Sequence, residues 1–149
     1  MAFVVDASVT LPWFLEDERT AFTDSLLDSI NSIEYWAPSV WRLEIPNALL
    51  VAERKRRIDR GRRLEALDQA SRLRIKVDPE LPDMQAISAV AERRQLSTYD
   101  AAYLELAIRL GFGLITLDQP LAKAAIAEGV PLEAPGRSGA AQRRRRYNV

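Results

Sequence analysis

Apolar positions in this chain follow two alternating rhythms: short β-branched or aromatic runs, and longer stretches in which apolar residues recur every three or four positions. The first short run, "AFVV", ends at Asp6 and has the unbroken hydrophobicity of a strand buried on both faces of a parallel sheet. "IEYWAP", "RIKVDP", "GLITLD" and "VPLEA" repeat the pattern, two of them closed by Pro38 and Pro79. Between them lie helical stretches: "TLPWFLEDE" with "AFTDSLLDSI", the run "SVWRLEIPNALLVAERKRR", "RRLEALDQASRL", the segment from Pro82 to Arg93, Ser97 to Leu110, and "QPLAKAAIAEG". Ser39 is the expected cap of the second stretch, Pro46 should disturb it, and Gly61 should break it from the next. Gly111 and Gly129 mark helix ends. Strands alternating with helices predict an α/β fold, a three-layer α/β/α sandwich around a mostly parallel five-stranded sheet. The pattern runs without a linker to about Pro135, so residues 1–135 read as one domain and 136–149 as a tail.

Composition narrows the chemistry. The 149 residues are 48% hydrophobic, enough for one sizeable core. No apolar run approaches the length of a membrane span and no basic region precedes the first apolar run, so a cytoplasmic protein is expected. With no cysteine and no histidine, thiolate zinc sites, Ser-His-Asp triads and imidazole-based RNA cleavage are excluded. Hydrolytic chemistry in this chain has to run on carboxylates, with a hard cation such as Mg²⁺ or Mn²⁺.

The formal net charge of zero conceals an uneven distribution. Residues 137–149 hold five arginines and no acid, which leaves 16 basic against 21 acidic groups before them, a net of −5. A second basic run, "RKRRIDRGRR", begins with Arg54, Lys55, Arg56 and Arg57. It reads first as a solvated helix end, where cations suit the helix dipole, and second as a grip on nucleic-acid phosphate.

Position within the elements then singles out four acids. Asp6 and Asp118 end two strands that would share one edge of a parallel sheet, the edge where ligands bind in open α/β folds. Glu44 falls about one and a half turns into its helix, and Asp100 sits at the start of another, three residues after Ser97. That last spacing fits a capping box, a purely structural device contributing about 1 kcal/mol. Two carboxylates about 4 Å apart, however, repel by roughly 4 kcal/mol at an effective dielectric near 20. If the four converge, capping does not justify them and a divalent cation does; Ser97 then keeps the capping role.

The stretches "VVDASV", "WRLEIPNALL", "LSTYDAAYLELA" and "LITLDQPLAKAA" resemble, in that order and spacing, the PIN-domain ribonucleases, in particular VapC-type toxins of bacterial toxin–antitoxin pairs. The resemblance covers Phe3 to Ala134. It implies an α/β/α sandwich, Mg²⁺-dependent endoribonuclease activity with Mn²⁺ as a substitute, homodimerisation, and inhibition by a cognate VapB-like antitoxin. Carried over by position, it makes Asp6, Asp100 and Asp118 metal ligands and has Glu44 complete the acidic site through metal or water. It also sets the hydroxyls of Ser8 and Thr116 beside the acids, with Asn47 as the polar neighbour one turn after Glu44.

Two alternatives belong to other classes: a receiver-like module that accepts phosphate on an aspartate, and a degenerate PIN domain that only binds RNA or protein. The receiver wants adjacent acids at the first strand end, and "FVVDAS" has one. Glu16, Asp17, Glu18 and Asp78 read as helix-end or turn residues. Trp13, Phe14, Trp36 and Trp41 read as core or dimer packing rather than platforms for bases.

Overall fold

Residues Ala2–Val5 form the first strand, β1, and its side chains are covered from both faces: Val4 and Val5 are wholly buried. The computed structural model describes residues 1–135; the arginine-bearing tail, 136–149, lies outside the described residues. Four further strands follow, β2 (Glu34–Ala37), β3 (Ile75–Val77), β4 (Gly113–Ile115) and β5 (Leu132–Glu133). All pairings are parallel, in the order β3-β2-β1-β4-β5. The chain therefore builds outward from β1 on one side and returns to build outward on the other. That reversal lies between β1 and β4, and it fixes where a site can form.

Seven helices connect the strands: α1 (Ala7–Thr10), α2 (Ala21–Asp28), α3 (Trp41–Arg54), α4 (Arg60–Arg72), α5 (Met84–Arg94), α6 (Thr98–Leu110) and α7 (Gln119–Ala127). Right-handed crossovers leaving β1 in opposite directions put α1–α4 on one face and α5–α7 on the other. The packing agrees, since α3 contacts α1 and α4 while α6 contacts α5, α7, β1 and β4. Helix α6 approaches the sheet closely because Ala101 and Ala107 alternate with Leu104 and Leu106 on its buried face. Gly113 is required where β4 meets β1: a Cβ there would stand 2.7 Å from the Phe3 ring. Trp13, Phe14 and Trp41 are buried, and the indole N–H groups of Trp13 and Trp41 donate to the Thr23 carbonyl and to Thr10 Oγ1. Trp36 packs beside Phe112, ring centroids 6.0 Å apart.

Several local expectations change. Ser39 does not cap α3; Val40 holds that position without a side-chain bond. The helix starts at Trp41, so Glu44 lies in its first turn rather than half a turn deeper. Pro46 does not interrupt the helix, although it removes the N–H that would meet the Arg42 carbonyl. Gly61 does not break the chain either, because it lies inside the first turn of α4, whose cap Asp59 accepts from the Arg62 N–H at 2.7 Å. The break is at Arg56, held at φ +59°. Left-handed backbone costs an ordinary residue roughly 1–2 kcal/mol, and the exposed Arg56 side chain forms no hydrogen bond or ion pair among the described residues. Arg56→Gly is expected to stabilise the fold by about 1 kcal/mol, read from the shift in urea midpoint. No helix among the described residues is long and apolar enough to cross a membrane.

Candidate active site

The first acid of the site is gripped by the turn beyond β4. Asp6 directly follows β1 and is only 6% exposed. Its Oδ1 accepts from Ser8 Oγ at 2.6 Å and its Oδ2 from Thr116 Oγ1 at 2.7 Å. Each hydroxyl is itself held, Ser8 Oγ by the Leu117 N–H at 2.9 Å and Thr116 Oγ1 by the Asp118 N–H at 3.0 Å. The tips of β1 and β4 are thus locked together through one carboxylate, at the point where strand order reverses. Strand β4 stops at Ile115, and the turn Thr116–Asp118 leads straight into α7.

Asp118 caps that helix, accepting from the Leu121 N–H through Oδ2 at 2.9 Å. Asp100 occupies the third position of α6, and Ser97 caps the same helix by accepting from the Asp100 N–H at 3.1 Å. The return bond of a capping box, from the Ser97 N–H to the Asp100 carboxylate, is not made. Capping therefore falls to Ser97, and the Asp100 carboxylate is available to the site. Glu44 arrives from the first turn of α3 and accepts from the buried phenol of Tyr103 at 3.1 Å.

Repulsion between charges links the four acids pair by pair. Burial pushes Asp6 up from 3.8 to about 6 against the pull of its Ser8 and Thr116 bonds, and the charges of Asp118 and Glu44 push it further. Burial also raises Glu44, the Tyr103 bond opposes the rise, and the Asp100 charge adds to it. Asp100 is raised by burial and then by Asp118, with Ser97 opposing. Tyr103 is driven up by burial and by Glu44, Asp6 and Asp100, so it stays a neutral donor. Asp6, Glu44 and Asp100 thus each feel at least one other acid carried on a different element.

Several acids elsewhere are stabilised by cations instead. Asp17 is lowered by Arg57, Glu34 by Trp36 and Lys76, and Glu128 by Arg93 and Arg94. Asp24, Glu53, Asp68, Asp78 and Glu105 also sit in ion pairs. None of Asp6, Glu44, Asp100 and Asp118 is in an ion pair among the described residues. Four carboxylates gathered without a cation form an all-oxygen donor set whose chemistry suits a hard divalent ion. As the side chains stand, no group of three acids among the described residues is arranged to hold a metal.

The other sequence-derived positions divide. Ser8 and Thr116 bond Asp6 directly. Asn47 is exposed one turn beyond Glu44, with no side-chain bond among the described residues. Arg54, Lys55, Arg56 and Arg57 lie ten or more residues beyond Glu44, at the far end of α3, about 15 Å away along the axis. Arg57 is engaged there with Asp17, at 2.9 Å. Asp78 is more than a turn residue: it accepts from the Glu80 N–H as a turn would, and it is also buried against Arg109, 2.6 Å away. Sequence reading missed Tyr103. The available signal was its place three residues after Asp100, which puts both on one side of a helix.

Residues 3–127 match the family model described as PIN domain. Solved structures share the fold at low sequence identity. The crystal structure of PAE2754 from Pyrobaculum aerophilum aligns with a TM-score of 0.65 at 24% identity, over 89% of this chain and 83% of that one. VapBC2 from Rickettsia felis, bound to a DNA fragment from their promoter, gives 0.65 at 13% identity over 90% and 98%. FitAcB from Neisseria gonorrhoeae gives 0.61 at 12% identity over 91% and 99%. No curated protein sequence matches the chain.

Proposed function

Because the chain belongs to the PIN domain family, we propose that it is a Mg²⁺-dependent endoribonuclease that hydrolyses RNA phosphodiester bonds and serves as the toxin of a toxin–antitoxin pair. The observation that carries this reading is the set of four acids around the β1–β4 reversal, three of them raised by burial and by one another's charge, and none in an ion pair among the described residues. The likeness in fold to VapBC2 and FitAcB supports the toxin role. The family match leaves the receiver-like alternative without support.

In this reading Asp6, Asp100 and Asp118 would hold the Mg²⁺, with Mn²⁺ as a substitute. The bound cation supplies positive charge to the phosphate oxygens and acidifies water. Ser8 and Thr116 keep both Asp6 oxygens aimed, and the covalently adjacent turn carries Asp118 with them. Glu44, half-buried and with a raised affinity for protons, takes the proton of the attacking water. Water oxygen bonds to phosphorus, the P–O bond to the ribose leaving group breaks, and that oxygen takes a proton from solvent water. Asn47 lies on the exposed side of Glu44, where it can meet RNA. The basic group Arg54–Arg57 is too far along α3 to touch the scissile phosphate, and its part is to hold RNA beyond the cut.

A homodimer, a VapB-like antitoxin as partner and a cytoplasmic location complete the proposal. Residues 1–135 would be the nuclease domain and 136–149 its basic appendage. The test is direct. Purified protein incubated with total RNA and with unstructured synthetic RNA should cleave with Mg²⁺ or Mn²⁺ and stop cleaving when EDTA is added. Cleavage that survives EDTA defeats the metal-dependent reading, and intact RNA under all conditions favours a degenerate PIN domain.

A further inference from the structure

We propose that Tyr103 is a positioning residue for the acidic site, fixing the Glu44 carboxylate across the gap between α6 and α3 without neutralising it. The inference deepens the nuclease reading and rests on it for its catalytic consequence, but its structural part stands on geometry alone. Asp6 is held by two hydroxyls and Asp118 by a backbone N–H. Glu44 has neither, and its one side-chain hydrogen bond among the described residues comes from the Tyr103 phenol, 59 positions away in sequence. That phenol is on a ring only 1% exposed, packed in the core on the helix that also carries Asp100. The donor is therefore rigidly mounted, while the acceptor is a flexible glutamate in a first helical turn.

Its chemical type matters as much as its place. A lysine or arginine at this spot would pair with Glu44 and cancel the charge that a cation needs. A phenol donates one hydrogen bond and carries no charge, and burial, with its three acidic neighbours, keeps it protonated. It offsets part of the repulsion between Glu44 and Asp100 while leaving the carboxylate ionised. Every buried polar side-chain atom among the described residues has a partner, so the Tyr103–Glu44 bond also closes the local accounting.

Tyr103→Phe keeps the ring and removes the donor. Crystal structures of the wild type and this variant should show the Glu44 carboxylate turned away from its wild-type position, with α3 and α6 unmoved. In RNA cleavage the variant should lose about tenfold in kcat, with KM within twofold and a thermal midpoint lowered by no more than the few degrees one lost hydrogen bond costs. In a Glu44→Asp background, whose shorter carboxylate cannot reach the phenol, adding Tyr103→Phe should cost less than twofold further. An unmoved Glu44 in the variant crystal overturns the proposal. So does wild-type kcat in Tyr103→Phe, or an equal loss in the Glu44→Asp background, which would make Tyr103 act independently of Glu44. A wild type that never cleaves RNA would instead defeat the nuclease reading, and the crystallographic comparison would still decide the positioning role.

Discussion

Replacing Asp6 with asparagine is expected to lower Mg²⁺-dependent RNA cleavage by roughly a thousandfold or more, the several kcal/mol that a correctly held cation contributes to a phosphoryl transition state. Asparagine matches aspartate in shape, so the strand end and the β4 turn retain their packing. One amide oxygen can still accept from Ser8 or Thr116, and the hydroxyls can rotate to receive the amide N–H groups. What disappears is the charge. Because that charge is buried without a cationic partner, its removal should leave thermal stability at pH 7 unchanged or raised. Loss of activity with retained stability distinguishes a functional acid from a structural one. Asp100→Asn should behave similarly, since Ser97 caps α6 through the Asp100 backbone N–H and needs nothing from its carboxylate. Asp17→Asn, which removes an exposed partner of Arg57, should cleave RNA at the wild-type rate. Full activity in both the Asp6 and Asp100 variants, measured with a fluorogenic RNA in Mg²⁺, would sink the proposed chemistry.

The parts of this site that sequence reveals are those encoded locally. A strand buried on both faces must be apolar throughout, so the first acid after "FVV" and the acid that follows "LIT" mark strand tips, and a parallel sheet puts those tips on one edge. The ends of α6 are legible too, since Ser97 caps it as its side chain allows and Gly111 closes it at φ +70°, whereas the cap expected at Ser39 is not used. Sequence fails where the deciding partner is remote or where ordinary preferences are overridden. Arg56 adopts a backbone conformation that glycine favours, while Gly61, five residues on, lies in the first turn of a helix. Tyr103 sits in an apolar helical run, so pattern alone makes it a core aromatic. Only the folded chain shows that its hydroxyl meets Glu44. Asp78 hides its tie to Arg109 for the same reason. Nothing local predicts a bond between residues dozens of positions apart.

In EDTA the protein is expected to be less stable at pH 8 than at pH 5, against the common tendency of paired carboxylates to strengthen a fold as they ionise. Asp6 has a folded-state pKa near 6 against 3.8 in the unfolded chain. Between those values the unfolded chain gives up its proton first, so the folded state binds more protons and stability falls as pH rises. The loss begins near pH 4, is complete above about pH 6, and is on the order of 3 kcal/mol from this one buried group. Glu44 and Asp100 are raised as well and act in the same direction. The lowered acids Asp17, Glu34 and Glu128 act oppositely, but through surface ion pairs, which contribute little. A divalent cation binds the ionised carboxylates and not the protonated ones, so Mn²⁺ should stabilise the protein strongly at pH 8 and weakly at pH 5, flattening or reversing the slope. Asp6→Asn should flatten the EDTA profile by itself and lose most of the Mn²⁺ response. Urea denaturation at four pH values, with EDTA and with Mn²⁺, reads all of this. Stability in EDTA that holds constant or rises from pH 5 to 8 would mean that Asp6 is not buried and unpaired in solution, because burial, ahead of the charges of Asp118 and Glu44, is what makes its ionisation costly.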